Sequence, residues 1–160
     1  MVPQARHQGG KEDMANTTYI KNNVEPFVRR WLESQFGRTF TEQSVELVGG
    51  GSHKFDAVSA DTAVVGDILC NRPTTRTGNE NTGGVRKAQN DIDYLKRLSQ
   101  GIERVLVFTD ASFYELIRQR SRRWGAGDVR MLVCPLPPDL ERGLTAVLNT
   151  ASREQRGAGE

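Results

Sequence analysis

The segment from Ser52 to Asn71 constrains the fold of this chain more than any other, because it contains two apolar arms joined by a short polar link. Both arms carry Val together with Ile or Phe, residue types that favour strands. The arms are Ser52–Ser59 and Ala63–Cys70, and the link Ala60–Thr62 supplies an aspartate suited to a turn. The pattern predicts a tight β-hairpin.

Each arm also carries an aspartate among its apolar residues, Asp56 in the first and Asp67 in the second. The simplest pairing of the arms places Asp67 close to Phe55, whereas a register change of one residue, or a bulge near Gly66, brings the two acids onto the same side. An isolated buried carboxylate costs several kcal/mol, so two converging acids predict a bound divalent cation. The alternative is a half-exposed hairpin in which both carboxylates face water.

The remaining apolar patterns predict an alternation of helices and strands around this hairpin. Strands joined by short links pair antiparallel, and strands joined through helices pair parallel. We therefore expect an α/β protein with a mixed sheet of about five strands flanked by helices. The predicted elements, in order, are a helix from Val24 to Phe36, a strand within Thr39–Val48, the hairpin, a helix from Val85 to Leu98, a strand at Val105–Phe108, a helix after Asp110, a strand within Val129–Leu136 and a helix from Pro138.

Composition divides the chain into a central part and two polar ends. Residues 1–18 contain few apolar side chains and predict a disordered N-terminal lead. Residues 19–151 have the length and the apolar content of a single domain, and residues 152–160 predict a disordered tail. The 22 basic and 20 acidic side chains nearly balance, so any nucleic-acid surface depends on local clustering of charge.

Cys70 and Cys134 are the only cysteines, and each lies in an apolar, strand-like run. Such cysteines are typical of buried thiols in a reducing compartment. No apolar segment is long enough to span a membrane, and no charged-then-apolar signal peptide is present. These features predict a cytoplasmic protein without a membrane partner.

The order αβββαβ, with Asp56 in the second strand and Asp67 in the third, resembles the restriction-endonuclease-like PD-(D/E)XK nuclease superfamily. The resemblance covers roughly residues 24–108. It implies hydrolysis of DNA phosphodiesters with Mg²⁺ or Mn²⁺ as cofactor and with Asp56 and Asp67 as metal ligands. The family lysine, two residues after the third-strand acid, is Leu69 in this chain.

Two other lysines could take the place of the family lysine. Lys54 lies two residues before Asp56, and Lys87 lies at the start of the helix that follows the hairpin, from which its flexible side chain can reach the sheet. For both, the alternative is an ordinary solvated surface lysine. Some relatives also have a helical Gln four residues before a Tyr, which Gln89 and Tyr94 match imperfectly because they are five residues apart.

Relatives often complete the metal shell with a glutamate from the first helix, and Glu25 is the closest positional match. The resemblance thus implies a metal set of Asp56, Asp67 and Glu25. The alternative for Glu25 is an acid that stabilises a helix N-terminus by about 0.3–1 kcal/mol. His53 is expected at the rim of the site or simply exposed, since neither histidine has a partner at zinc-ligand spacing.

A long polar loop, residues 72–84, follows the hairpin, and a loop of this length is either functional or disordered. Its cations and those of the next helical turn could donate to backbone phosphates beside the metal. These predicted nucleic-acid-binding residues are Arg72, Arg76, Arg86 and Lys87.

Three hypotheses follow from these residues. The first is a metal-dependent endonuclease acting on DNA. The second is a catalytically inactive relative that binds nucleic acid or a protein partner, and the replacement of the family lysine by Leu69 favours it. The third is an accessory protein that forms a homodimer through its sheet edge or its last helix and binds no nucleic acid.

Overall fold

The computed structural model of the chain describes residues 17–159, and their side chains as far as residue 150. Residues 1–16, most of the predicted lead, lie outside the described residues. The described chain divides into a central unit, residues 28–135, and a terminal unit, residues 17–27 with residues 136–159. The predicted single domain, residues 19–151, stays a prediction.

The central unit contains one five-stranded sheet with the strand order β1-β2-β3-β4-β5. The first three strands pair antiparallel, and β3, β4 and β5 pair parallel. This confirms the predicted α/β class and the mixed sheet. The strands are β1 (Phe40–Glu46), β2 (Ser52–Ser59), β3 (Val64–Leu69), β4 (Glu103–Phe108) and β5 (Val129–Val133).

Helices precede, separate and follow the strands in the predicted order. A π-helical turn, Ile20–Val24, leads into α1, and α4 continues through residues 152–159, where the sequence predicts a tail. Among the described helices, none combines the length and the apolar character that crossing a membrane requires. The α-helices are α1 (Glu25–Phe36), α2 (Thr82–Lys96), α3 (Ala111–Arg120) and α4 (Pro138–Gly159).

Helix α2 begins three residues before the predicted Val85, because Asn81 caps it. The Asn81 side-chain oxygen accepts a hydrogen bond of 3.0 Å from the Gly84 backbone N–H. A Cβ atom at Gly84 would lie 2.6 Å from Asn81 Nδ2, so this cap requires glycine. The predicted cap of α3 is confirmed, since Asp110 accepts from the Phe113 N–H at 2.8 Å.

The core of the central unit lies between the sheet and helices α2 and α3. Each fully buried aliphatic or aromatic side chain contributes about 1.5–3 kcal/mol relative to exposure. The two cysteines are buried as predicted, and burial raises the pKa of the Cys134 thiol to about 12. The largest side chains of this core are Phe55, Leu69, Ile92, Leu95, Leu106, Phe108, Phe113 and Ile117.

The register between β2 and β3 differs by one residue from the simplest pairing of the two hairpin arms. Ala57 is opposite Gly66 and Val58 is opposite Val65, and the Val64 N–H donates to the Ser59 hydroxyl at 3.0 Å. This is the alternative in which the register changes by one residue. Extending the pairing by one residue beyond Gly66 brings the two aspartates of the arms opposite one another.

A β-bulge lies in β2, not near Gly66. The pairs Thr41–Val58 and Gln43–Phe55 leave one residue of β1, Glu42, opposite two residues of β2, Asp56 and Ala57. The extra residue lets Phe55 and Val58 share the core although three positions separate them. Bulges of this kind reorient side chains and are common beside active sites.

Candidate metal centre

Asp56 and Asp67 meet where the pairing between β2 and β3 ends. Asp67 Oδ1 accepts a hydrogen bond of 3.1 Å from the Asp56 backbone N–H. Asp56 Oδ2 accepts one of 2.9 Å from the Ile68 backbone N–H. Each carboxylate is therefore fixed by the opposite strand, in the place where the strand-to-strand hydrogen bonds would otherwise continue.

Asp67 is the most buried acid of this group, with 2% of its surface exposed. Burial, together with the negative charges of Asp91 and Asp56, raises its pKa well above the usual value, against the opposing effect of the Asp56 N–H. Its Oδ2 atom is buried and has no hydrogen-bond partner among the described residues. An unsatisfied buried acceptor costs about 1–3 kcal/mol, which a bound cation would offset.

Helix α2 adds an acid and a cation to this end of the hairpin. Asp91 is 7% exposed, and its Oδ2 lies 3.0 Å from Lys87 Nζ, one helical turn away. Burial raises the pKa of Asp91, although Lys87 partly opposes this. Burial alone would lower the pKa of Lys87, but the charges of Asp91, Asp56 and Asp67 raise it, so the ammonium stays charged at neutral pH.

His53 faces the same acids from β2. Its Nε2 lies 3.8 Å from Asp67 Oδ2. Its ring stacks on Tyr94 of α2 at a centroid distance of 3.7 Å and meets the Phe55 ring edge-on at 4.7 Å. Burial lowers its pKa, against the opposing charges of Asp91 and Asp56, which favours a neutral imidazole.

His53, Asp67 and Asp91 form the cluster best suited to hold an ion. Each offers one ligand atom, and these atoms all lie within 4.8 Å of one another. The three residues come from β2, β3 and α2, so packed secondary structure fixes their positions. Asp56 lies beside them through its contacts with β3.

Of the other two predicted residues, Lys54 pairs with an acid of β1. Lys54 Nζ is 3.1 Å from Glu42 Oε1, and its side chain is 61% exposed. A Glu42 carboxylate oxygen in turn lies within 4.8 Å of one from Asp56. Glu25 belongs to the terminal unit, where it begins α1 and is 7% exposed. The metal role of Glu25 stays a prediction.

The predicted phosphate-binding residues are spread along the polar loop and the first turns of α2. Arg72 is half-buried, with its Nε 3.9 Å from Asp110 Oδ1, and its carbonyl accepts from the Asn81 side-chain amide at 3.0 Å. Arg76 and Arg86 are exposed. The role of these three arginines and of Lys87 in nucleic-acid binding stays a prediction.

The sequence motif does not single out Asp91, and it predicts His53 only at the rim of the site or exposed. The signal for Asp91 was present, because it lies on the apolar face of α2 with Ala88, Ile92 and Leu95, at helical spacings of three and four residues. An acid on such a face needs a partner. No comparable signal marks His53, since its contacts depend on the packing of α2 against β2.

No protein-family model, curated protein or solved structure matches this chain. Function is therefore inferred from the side chains of the site and from the order of the strands and helices that hold them.

Proposed function

We propose that the chain is a metal-dependent nuclease of the PD-(D/E)XK type that cleaves DNA phosphodiesters. One observation carries this proposal: a buried Asp67 oxygen without a hydrogen-bond partner among the described residues, next to two further acids and one lysine. Buried carboxylates this close together repel one another unless a cation neutralises them. In metal-dependent phosphoryl transfer, a bound cation does this and also stabilises the charge on the phosphate oxygens.

The order of the elements supports the restriction-endonuclease-like core. The chain runs α1, β1, β2, β3, α2, β4, and β1 to β3 are antiparallel. Asp56 and Asp67 come from the second and third strands of this core, at the point where their pairing ends. The family resemblance requires two acids in these two strands.

The donor set fits a divalent cation. Asp67 and Asp91, with Asp56 beside them, would hold it through carboxylate oxygens, the ligands that Mg²⁺ and Mn²⁺ accept. When bound, the ion would lower the pKa of a water molecule and neutralise charge on phosphate oxygens. The protein contributes the fixed positions of these acids, on two strands and one helix.

Lys87 is the residue that best replaces the lysine of the family motif. Leu69, at the motif position, is fully buried and cannot supply charge. Lys87 keeps its proton at neutral pH because the charges of Asp91, Asp56 and Asp67 raise its pKa, so it can stabilise negative charge on a phosphate next to the site. Lys54, the other candidate, is held by Glu42 at 3.1 Å.

The test is cleavage of supercoiled plasmid, with single-stranded DNA and RNA of the same sequence as further substrates. We expect nicking with Mg²⁺ or Mn²⁺, none in EDTA, and a loss of at least about 100-fold in Asp67→Asn. Asp93→Asn is the control, because Asp93 is an exposed acid of α2 outside the cluster. Metal-dependent cleavage that persists in Asp67→Asn would place the chemistry elsewhere.

A catalytically inactive nucleic-acid-binding protein is the second candidate, and the burial of Leu69 at the motif position favours it. This candidate predicts DNA binding that weakens with salt but no cleavage with any divalent cation. Band-shift assays at two salt concentrations, run beside the plasmid assay, distinguish the two functions.

A further inference from the structure

We infer that His53, Asp67 and Asp91 form a mixed nitrogen and oxygen site that prefers a divalent transition metal to Mg²⁺. The inference deepens the proposed function and rests on it for the presence of a cation, since it names the metal class of the same site. It assigns His53 as a metal ligand, a role outside the acid pair Asp56 and Asp67 of the family motif.

The spacing of the three ligand atoms fits one ion. Ligands bound at about 2.0–2.2 Å from a metal lie at most about 4.4 Å apart. The ligand atoms of His53, Asp67 and Asp91 already lie within 4.8 Å of one another. Adjustments of less than about one ångström would therefore complete the site without a backbone rearrangement.

The gap between His53 and Asp67 is the second and independent observation. His53 Nε2 and Asp67 Oδ2 are 3.8 Å apart, too far for a hydrogen bond. That separation lies within the span of about 4.4 Å that two ligands of one ion can have. Asp67 Oδ2 is buried, without a hydrogen-bond partner among the residues described, and faces the imidazole.

The imidazole is oriented as a ligand by its neighbours. Tyr94 stacks on the His53 ring with an angle of 9° between the two planes, and Phe55 packs against it edge-on at 81°. These contacts restrict ring rotation and leave Nε2 facing Asp67. A neutral imidazole nitrogen is the group that binds metals.

The nitrogen ligand determines the metal class. Mg²⁺ is bound through oxygen atoms in near-ideal octahedral geometry, whereas imidazole suits transition metals. One imidazole with two carboxylates therefore favours ions such as Mn²⁺, Fe²⁺ or Zn²⁺. The Lys87 ammonium, 3.0 Å from Asp91, opposes any cation and makes the contribution of His53 more important.

Calorimetric titration of the metal-free full chain, without nucleic acid, tests this preference. We expect Mn²⁺ to bind at least about tenfold more tightly than Mg²⁺. His53→Gln should weaken Mn²⁺ binding by about 10–100-fold and Mg²⁺ binding by less than about threefold. Asp91→Asn, which keeps the side-chain shape, should weaken both ions, and Asp93→Asn should change neither.

Pulsed electron paramagnetic resonance of the Mn²⁺ complex gives a direct signature. We expect a nitrogen coupling from a bound imidazole that disappears in His53→Gln. The chain has two histidines, so His7→Gln is the matched control and should keep the coupling. Circular dichroism establishes that each variant is folded before the titration.

The outcomes separate this inference from the proposed function. Equal binding of both ions, or Mn²⁺ binding without nitrogen coupling, overturns the inference while cleavage dependent on Asp67 can still stand. Mn²⁺ binding that depends on His53, without cleavage of any nucleic acid, supports the inference and overturns the nuclease proposal. No binding of either ion overturns both.

Discussion

The β2–β3 hairpin holds an aspartate at each of its two ends, and their environments are opposite. At the turn, Asp61 accepts hydrogen bonds from the Ser59 hydroxyl at 2.7 Å and from the Ala63 N–H at 3.1 Å, and Arg38 Nε donates to it at 3.1 Å. These donors lower the pKa of Asp61 to about 2. At the open end, Asp67 is buried beside other acids and its pKa is raised.

The comparison separates an acid whose charge the fold stabilises from one whose charge the fold disfavours. The Ser59, Ala63 and Arg38 donors stabilise the charge of Asp61, so the folded state favours the ionised form. The charge of Asp67 is disfavoured by burial and by Asp91 and Asp56. Strongly perturbed acids of this kind cluster at functional sites, and under the proposed function a cation would supply the missing interaction.

The largest effect we expect comes from removing the positive charge of Lys87 at the open end of the hairpin. Lys87→Gln should lower plasmid cleavage by about 100–1000-fold, because one charge donor to the phosphate is lost. Metal affinity, measured by calorimetry, should stay the same or rise, since Lys87 lies 3.0 Å from Asp91 and opposes the ion. The variant thus separates chemistry from metal binding.

Lys54→Gln is the matched control for Lys87, because Lys54 is exposed and pairs with Glu42. We expect its cleavage rate to stay within about threefold of the wild type, as is usual for an exposed ion pair. A larger loss in Lys54→Gln than in Lys87→Gln would reverse the roles assigned to the two lysines.

Gly66 lies between the two ends, at the last regular pair of the hairpin. A Cβ atom there would lie 2.6 Å from the Val105 carbonyl oxygen of β4, which is backbone and cannot rotate away. Gly66→Ala should therefore lower the free energy of unfolding by about 1–3 kcal/mol. Urea unfolding measures this, and Gly127→Ala, with open space around its Cβ position, is the control.

The order of elements could be predicted from the sequence because it depends on local patterns. The hairpin arms, the apolar run at Val105–Phe108 and the Asp110 cap each match an observed element. The register could not be predicted, since it depends on the Ser59 hydroxyl replacing a backbone group at Val64. A shift of one residue changes which side chains meet.

The candidate site could be predicted only where its residues follow a motif. Asp56 and Asp67 stand out as acids within strands, and Lys87 as a cation near them in sequence order. Asp91 and His53 join the site through the packing of α2 on the sheet, which brings Tyr94 onto the imidazole. Contacts between elements that are distant in sequence produce no periodic pattern in the sequence from which they could be predicted.

A smaller effect should come from neutralising the buried acid itself. Asp67→Asn should raise the free energy of unfolding of the metal-free protein by about 0.5–2 kcal/mol at neutral pH, because it removes a disfavoured charge. The pKa of Asp67 in the folded protein is raised above its ordinary value of 3.8. The wild type therefore gains stability as the pH falls toward 3.8, and the stability difference between variant and wild type should shrink. Urea unfolding in EDTA at several pH values measures this.

A variant at Asp67 that is less stable than the wild type at neutral pH would contradict the view of the open end as an unfavourable charge cluster. Asn can keep the hydrogen bond from the Asp56 N–H through its side-chain oxygen. Loss of that hydrogen bond therefore does not explain such a result. Asp93→Asn, on the exposed face of α2, should leave the stability unchanged.

The smallest effect should come from the turn end, where Asp61 is exposed to solvent that screens its charge. Asp61→Asn should lower stability at neutral pH, opposite in sign to the change at Asp67. The lowered pKa of Asp61 means that its stabilising contribution is present above about 4 and is lost as pH falls through about 2. The difference between wild type and variant, measured by thermal unfolding at pH 7, 4 and 2, should shrink along that series. A constant difference would show that the Asn loses turn geometry, and not the charge interaction with Arg38.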